Sequence, residues 1–271
     1  MKSLSNIAFL GVLLGSSCLE LDVTNPPGSA SSSGNGSGGS GGTSSTGSTG
    51  GDAGAAGAAG GAGGAGGAGG SSFCDPNEAN LLACFPFDGD TLDHSGKPSN
   101  VMTTGVTLAP GVVGQAASFT GNSQVLMNET SSWMLNQITI ELWYYQRSYA
   151  AIGARMGLID ADGRAGLFVY GSGELRCTGD GQAVFSASAL ALDTWTHIAC
   201  THDGANVRLY VNGVLSVQNA GVVMTPSATS ISIGANAPTG DFFDGLIDEV
   251  RIWNVARSAT DICKSAGKQG C

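Results

Sequence analysis

The residue with the strongest claim to chemistry is Asp248, in the run Asp244-Gly245-Leu246-Ile247-Asp248-Glu249-Val250-Arg251-Ile252-Trp253-Asn254. Its alternation predicts a β-strand, whose side chains point to opposite faces with a period of two. Leu246, Asp248, Val250 and Ile252 then share one face. Glu249, Arg251 and Trp253 share the other, with Glu249 and Arg251 close enough to pair. Val250 and Ile252 mark the first face as buried, which sets a carboxylate among core residues. A buried charge persists only when it is paired or metal-bound. A hard cation such as Ca²⁺, which takes carboxylate and carbonyl oxygens, would satisfy it, as would a buried hydrogen-bond network.

Nucleophilic and metal chemistry find little support. There is no Gly-x-Ser-x-Gly elbow. His94, His197 and His202 form no metal-binding pair at helical spacing, and no Cys-x-x-Cys or Cys/His cluster has zinc spacing. Asp160-x-Asp162-Gly163 begins like a calcium loop but lacks the later ligands and terminal Glu, so a hairpin turn is expected. No catalytic residue is assigned, and the chain is not expected to be an enzyme. A formal net charge of −10 argues against nucleic acid as a partner, since phosphate contacts need clustered Lys and Arg.

The elements that must position Asp248 occupy only part of the 271 residues. Residues 1–17 have Lys2, an apolar run from Ile7 to Leu14 and then small residues, as an export signal does, and the run is too short for a membrane span. Cys18 follows Gly15-Ser16-Ser17, which resembles a bacterial lipobox, although Gly15 stands where Leu is favoured. A lipid on Cys18 would be the only link to a membrane. The expected location is the outer membrane or cell surface, with a secreted protein as the alternative. From Gly28 to Ser72 the chain is almost wholly Gly, Ser, Ala and Thr. Such composition cannot bury enough apolar surface to offset its ordering entropy. Residues 18–72 are therefore expected to be a disordered tether, and residues 73–271 one folded domain.

Six cysteines remain once Cys18 is set aside, and an exported chain is expected to pair them. About fifteen connectivities are possible. Short spacing favours Cys74–Cys84 and Cys263–Cys271, leaving Cys177 and Cys200 to pair across the middle. Between them run many short apolar strands, among them Asn80–Phe87, Val101–Leu108, Ile138–Tyr145, Trp195–His202 and Asn206–Val211. Asp203-Gly204 and Asn212-Gly213 are hairpin signals, because primed turns need positive φ. One short helix is expected over Arg257–Lys264, capped by Ser258. This pattern predicts an all-β protein, a two-sheet antiparallel sandwich or jelly roll.

Several segments together are similar to laminin G-like members of the concanavalin A-like lectin/glucanase superfamily. They are Phe85-Pro86-Phe87-Asp88-Gly89 with Asp93-His94-Ser95-Gly96, Ile138-Thr139-Ile140-Glu141-Leu142-Trp143, Trp195–Gly204, Val207–Gly213 and Phe243–Asn254. The resemblance implies a jelly roll with a calcium site where the first and last strands meet. By position Asp248 would supply one carboxylate, Asp88 a second and Asp93 a weaker third, with backbone carbonyls completing the shell. Glucanases of the superfamily carry Glu-x-Asp-x-(x)-Glu on one strand, giving the paired carboxylates that a retaining mechanism needs. That run is absent here. The function expected is recognition of a glycan or an extracellular protein, with Trp143, Tyr145, Tyr149 and Trp253 as candidate contacts. The alternatives are an adhesive envelope domain without a small ligand and a divergent hydrolase.

Overall fold

A computed structural model of the protein describes residues 73–128, 135–161, 164–221 and 230–271. The expected signal, Cys18 and the tether lie outside these residues, as do Asp162 and Gly163.

The described residues form fifteen strands and one helix. In chain order the strands are β1 (Leu81–Phe85), β2 (Asn100–Thr104), β3 (Thr107–Pro110), β4 (Gln115–Phe119), β5 (Gln124–Asn128), β6 (Ile138–Gln146), β7 (Arg155–Asp160) and β8 (Ala165–Tyr170). They continue with β9 (Leu175–Gly179), β10 (Gln182–Phe185), β11 (Thr196–His202), β12 (Asn206–Val211), β13 (Val214–Ala220), β14 (Ile231–Ile233) and β15 (Gly245–Trp253). Helix α1 is Ala259–Ser265. One antiparallel sheet has eight strands in the order β13-β12-β11-β6-β15-β4-β3, with β1 also paired to β15; the other has seven, β10-β9-β8-β7-β14-β5-β2. Inward residues of both sheets, such as Phe85, Leu142, Ile198, Leu167, Ile233 and Val250, meet in one core. The architecture is the expected two-sheet jelly-roll sandwich. Among the described residues no helix is long and apolar enough to cross a membrane.

Local chemistry explains most of the turns. Asn212 (φ 48°) and Gly213 (φ 77°) both lie in the left-handed region and close the β12–β13 hairpin, as a primed turn requires. Ser258 caps α1 by accepting from Asp261 N–H at 3.1 Å while its hydroxyl donates to Asp261 Oδ2 at 2.6 Å. The expected single strand Val101–Leu108 is instead two strands in different sheets: β2 pairs with β5 and β3 with β4. Gly105, at φ 64°, turns the corner between them.

Three disulfides join Cys74 to Cys84, Cys177 to Cys200 and Cys263 to Cys271. The second runs from β9 to β11 through the core and so ties one sheet to the other. Its loop spans 23 residues, for which chain entropy gives about 3 kcal/mol. The double variant Cys177→Ala/Cys200→Ala is therefore expected to melt about 10 °C lower while keeping its far-ultraviolet circular dichroism. An unchanged melting temperature would show that this cross-link does not restrain the sandwich.

Candidate functional site

The organising feature is an irregularity in β15. Opposite β6, Asp248 pairs with Trp143 but Arg251 pairs with Glu141, so three steps on β15 face two on β6. One extra residue of this kind is a β-bulge, and Glu249 adopts φ 54° within it. The bulge reverses the alternation. Ile247 points into the core before it, and Val250 and Ile252 after it. Asp248 therefore lies on the face away from the core, which corrects the reading that aligned it with Val250 and Ile252. Arg251 also does not pair with Glu249. It stands 3.8 Å from Glu141 instead.

The bulge falls where β15 changes partners on its other edge. Gly245–Ile247 pair with β4, and Val250–Trp253 pair with β1. The Asp248 carboxylate fills the gap between those two neighbours. Its Oδ2 accepts from Val112 N–H (2.9 Å) and Val113 N–H (3.1 Å), and its Oδ1 accepts from Glu249 N–H (2.9 Å). Asp88, just beyond β1, enters the same loop and accepts from Gln115 N–H at 2.7 Å. Two glycines make room for these carboxylates. A Cβ on Gly111 would stand 2.5 Å from Asp248 Oδ2, and one on Gly114 would overlap Asp88 Oδ1.

This acidic corner is electrostatically loaded. Burial pushes the Asp248 carboxyl up to about 6 against its three backbone hydrogen bonds, with the Asp88 charge adding to the rise. Burial and the neighbouring Asp248 push Glu249 up to about 8. Asp93 stands apart: its Oδ1 accepts from Cys84 N–H and Ser95 N–H, both at 2.9 Å, and its Oδ2 accepts from Ser95 Oγ at 3.0 Å. Its carboxylate fastens the turn to β1. Among the described residues no group of three or more His, Cys, Asp or Glu side chains is placed to hold a metal ion. Of the three expected ligands, Asp88 and Asp248 enter the same loop beside Gly111 and Gly114, where their oxygens accept from backbone N–H groups, and Asp93 does not join them.

Glu249 also borders a cleft of about 730 Å³ on the outer face of the eight-stranded sheet. Three of its lining residues, His197, Arg251 and Arg257, gather around Glu141, which is 1% exposed. His197 Nε2 approaches Glu141 Oε1 at 2.9 Å, and Arg257 Nη1 donates to Oε2. Burial alone would raise this carboxyl, but the His197 hydrogen bond and the charges of Arg257 and Arg251 hold it below its ordinary value. Arg257 and Arg251 both also donate to Ser265 Oγ, at 3.0 and 3.2 Å. The sequence reading missed this cluster. Its signal was Glu141, the one charged residue in β6, to which the buried-charge argument applies equally.

The four aromatic candidates separate. Trp143 is half-buried, lines the cleft, and meets His197 edge-on with ring centres 5.2 Å apart. Trp253 lines it too, but it is 1% exposed, lies beneath the Arg257 guanidinium and donates from Nε1 to Glu78 at 2.6 Å. That corrects its expected role as an exposed contact. Tyr145 is partly exposed on the same sheet face, beside Trp195 at 5.8 Å. Tyr149 is exposed, and its hydroxyl donates to the Leu190 carbonyl. The seven-stranded sheet has a smaller polar hollow of about 150 Å³, where Arg155 lies over Phe168 at 4.3 Å.

Comparison with known proteins agrees with this architecture. No curated protein matches the chain by sequence. Domain 4 of the extracellular arabinanase AbnA from Geobacillus stearothermophilus, solved with arabinotriose, has TM-score 0.57 and 24% identity over 70% of this chain and 100% of its own. The binding domain of Paraclostridial mosquitocidal protein 1 gives TM-score 0.59 and 16% identity over 69% of this chain and 52% of its own. The binding domain of botulinum neurotoxin DC, in complex with SialylT, gives 0.56 and 14% over 71% and 52%. The chain spans about half the length of these two toxin domains, and at such identities the likeness is one of fold. Residues 119–263 match the laminin G family, described as the concanavalin A-like lectin/glucanases superfamily. With that match covering the bulged strand, β6, β11 and most of both sheets, the chain belongs to the laminin G-like branch of the concanavalin A-like lectin/glucanase superfamily.

Proposed function

We propose that residues 73–271 form a non-catalytic recognition module that binds a saccharide in the cleft on the eight-stranded sheet, with Ca²⁺ stabilising the adjoining corner. The observation that carries this reading is the cleft itself. It is open, has the volume of small-ligand sites, and combines a partly exposed Trp143 with charged groups, of which Glu249 and Arg251 are fixed on β15. Aromatic faces beside fixed hydrogen-bonding groups suit sugar rings, which present apolar C–H faces and hydroxyl edges. The arabinanase domain of the same fold, solved with arabinotriose, supports a saccharide over a purely adhesive role. A hydrolase is the weaker reading. Glu249 has the raised value of a general acid, but the rise comes first from burial and then from Asp248 and Asp88, whose carboxylates are held by backbone N–H groups. Glu141 is neutralised by its cationic neighbours.

Ca²⁺ would be held by Asp88 and Asp248 and would supply positive charge where carboxylates crowd. Export, a lipid on Cys18 and a tether over residues 18–72 complete the proposal. Three disulfides suit an oxidising compartment.

The calcium proposal predicts a pH dependence. Asp248 and Glu249 have folded values above their unfolded ones, so the folded state binds their protons more tightly. Their contribution to stability is full below about pH 4 and is lost as pH rises through about 6 and about 8. A cation on the ionised groups reverses that loss. The rise in melting temperature produced by Ca²⁺ over EDTA is therefore expected to grow from about pH 5 to about pH 8.5 and to vanish in Asp248→Ala. An equal melting temperature in Ca²⁺ and EDTA at the higher pH would remove the cation from the account. For the cleft, Trp143→Ala should weaken saccharide binding by about 2 kcal/mol, roughly thirtyfold. Titration calorimetry would check this, with Tyr170→Ala on the opposite sheet leaving affinity unchanged. Equal losses from both variants would dissociate recognition from this cleft.

A further inference from the structure

Arg147, Arg155, Arg164, Arg208, Arg251 and Arg257 each stand in an ion pair with an aspartate or glutamate. Arg176, on β9, is the exception. Among the described residues its side chain makes no ion pair or hydrogen bond, and its Nε is buried without a partner, although buried polar atoms are normally satisfied. Arg176 borders the hollow of about 150 Å³ on the seven-stranded sheet, with Arg155, Asp160, Phe168, Thr178 and Asn236. The other polar groups there are already engaged. Arg155 Nε donates to Asp241 Oδ2 at 2.7 Å. The Asn236 amide donates to Asp160 Oδ2 at 2.8 Å and accepts from Arg155 Nη2 at 3.3 Å, and Ala237 N–H donates to the same Asp160 oxygen at 3.0 Å. Thr178 Oγ1 donates to the Gln182 carbonyl at 3.0 Å. The formal charges of Arg155, Arg176, Asp160 and Asp241 cancel, so the hollow has no excess of charge. What it has is one guanidinium fork with unused donors.

Apolar surface lies beside that fork. Phe168 and Phe185 stand directly opposite Arg176 on β8 and β10, so the three side chains share one face of the sheet. Gly166 leaves room for the Phe168 ring, since a Cβ there would stand 2.7 Å from it. Phe185 is 43% exposed and meets Tyr170 edge-on, with ring centres 5.6 Å apart. We infer that Arg176 anchors a second binding site, which takes a carboxylate joined to an aromatic or other apolar body. The carboxylate sits on the Arg176 fork and the body lies over Phe185 and Tyr170. A guanidinium presents parallel N–H donors that match one planar carboxylate. A phosphate group suits the hollow less well, because only one fork is free and the Asp160 carboxylate beside it repels a dianion. Arginine next to aromatic rings is also the combination that dominates binding energy at recognition surfaces. The inference is independent of the saccharide reading, which concerns the other sheet.

The test is titration of the full-length protein with phenylpropionate, its neutral twin phenylpropanamide, acetate and inorganic phosphate, following the Arg176 Nε–H signal by ¹H–¹⁵N spectroscopy. Phenylpropionate is expected to move that signal and to bind about tenfold tighter than the amide, and tighter than acetate or phosphate. Arg176→Gln should abolish the preference for the acid over the amide. Arg176→Lys, which keeps the charge but not the fork, should reduce it severalfold and serves if the glutamine variant fails to fold. Phe185→Ala alters an exposed side chain and should weaken phenylpropionate severalfold while leaving acetate unchanged. Blocked Glu-Phe and Gln-Phe dipeptides distinguish a polypeptide carboxylate from a free acid as the source. An Arg176 signal that stays fixed into the millimolar range would overturn the inference. So would equal binding of acid and amide, a preference that survives Arg176→Gln and Arg176→Lys, or phosphate binding tighter than phenylpropionate.

Discussion

The extra residue in β15 is the constraint on which the rest of the structure depends. A strand that alternated strictly through residues 245–253 would turn Asp248 into the sandwich core and Ile247 away from it. With one residue added, Ile247, Val250 and Ile252 all reach the core, and Asp248 and Arg251 both reach the outer face. The cost is a non-glycine residue at positive φ, Glu249, a conformation that is disfavoured without surrounding contacts. What holds it is the gap between β4 and β1. There the Asp248 carboxylate replaces ladder carbonyls and accepts three N–H groups that would otherwise lack partners. The bulge, the partner change and the acidic corner are one arrangement.

The same displacement builds the cleft. By carrying Arg251 to the outer face it brings a second guanidinium to Glu141, joining Arg257 from the segment before α1 and His197 from β11. Isolated, the Glu141 carboxylate would cost several kcal/mol to bury. Surrounded by these partners it becomes a rigid anchor for cationic groups at the surface. The Cys74–Cys84 bridge and α1 then enclose the outer face, with Phe73 and Val255 packed beside Trp253 and Leu81 on one side. Ile262 packs on Ala199 and Tyr210 on the other. Both chain ends of the domain thereby frame the cleft.

The fold was largely legible because its signals are local. Apolar alternation, Asn212-Gly213 and the Ser258 cap each act over a few residues, and the disulfide pairing followed from short spacings. The candidate site was less legible because its determinants are matters of register. Nothing in the residue types of Asp248-Glu249 announces a bulge, and glycine, the usual marker of positive φ, is absent there. Trp253 appeared exposed because a strict alternation paired it with Glu249 and Arg251 on an outer face. That face is right, but the N-terminal segment covers it. Glu141, His197 and Arg257 are far apart in sequence and meet only through the pairing of β6 with β11 and β15. Asp93 has the composition of a ligand and the position of a turn brace, and only its three short hydrogen bonds distinguish the two.

The most direct measurement is a residue-resolved ¹H–¹⁵N titration of the full-length protein with a bound saccharide, following the indole and guanidinium signals. The account predicts that Trp143 Nε1–H and Arg251 and Arg257 Nε–H shift in proportion to occupancy while Arg155 and Arg176 on the seven-stranded sheet stay fixed. Shifts confined to Arg155 and Arg176, with Trp143 silent, would place recognition on the opposite face and contradict it.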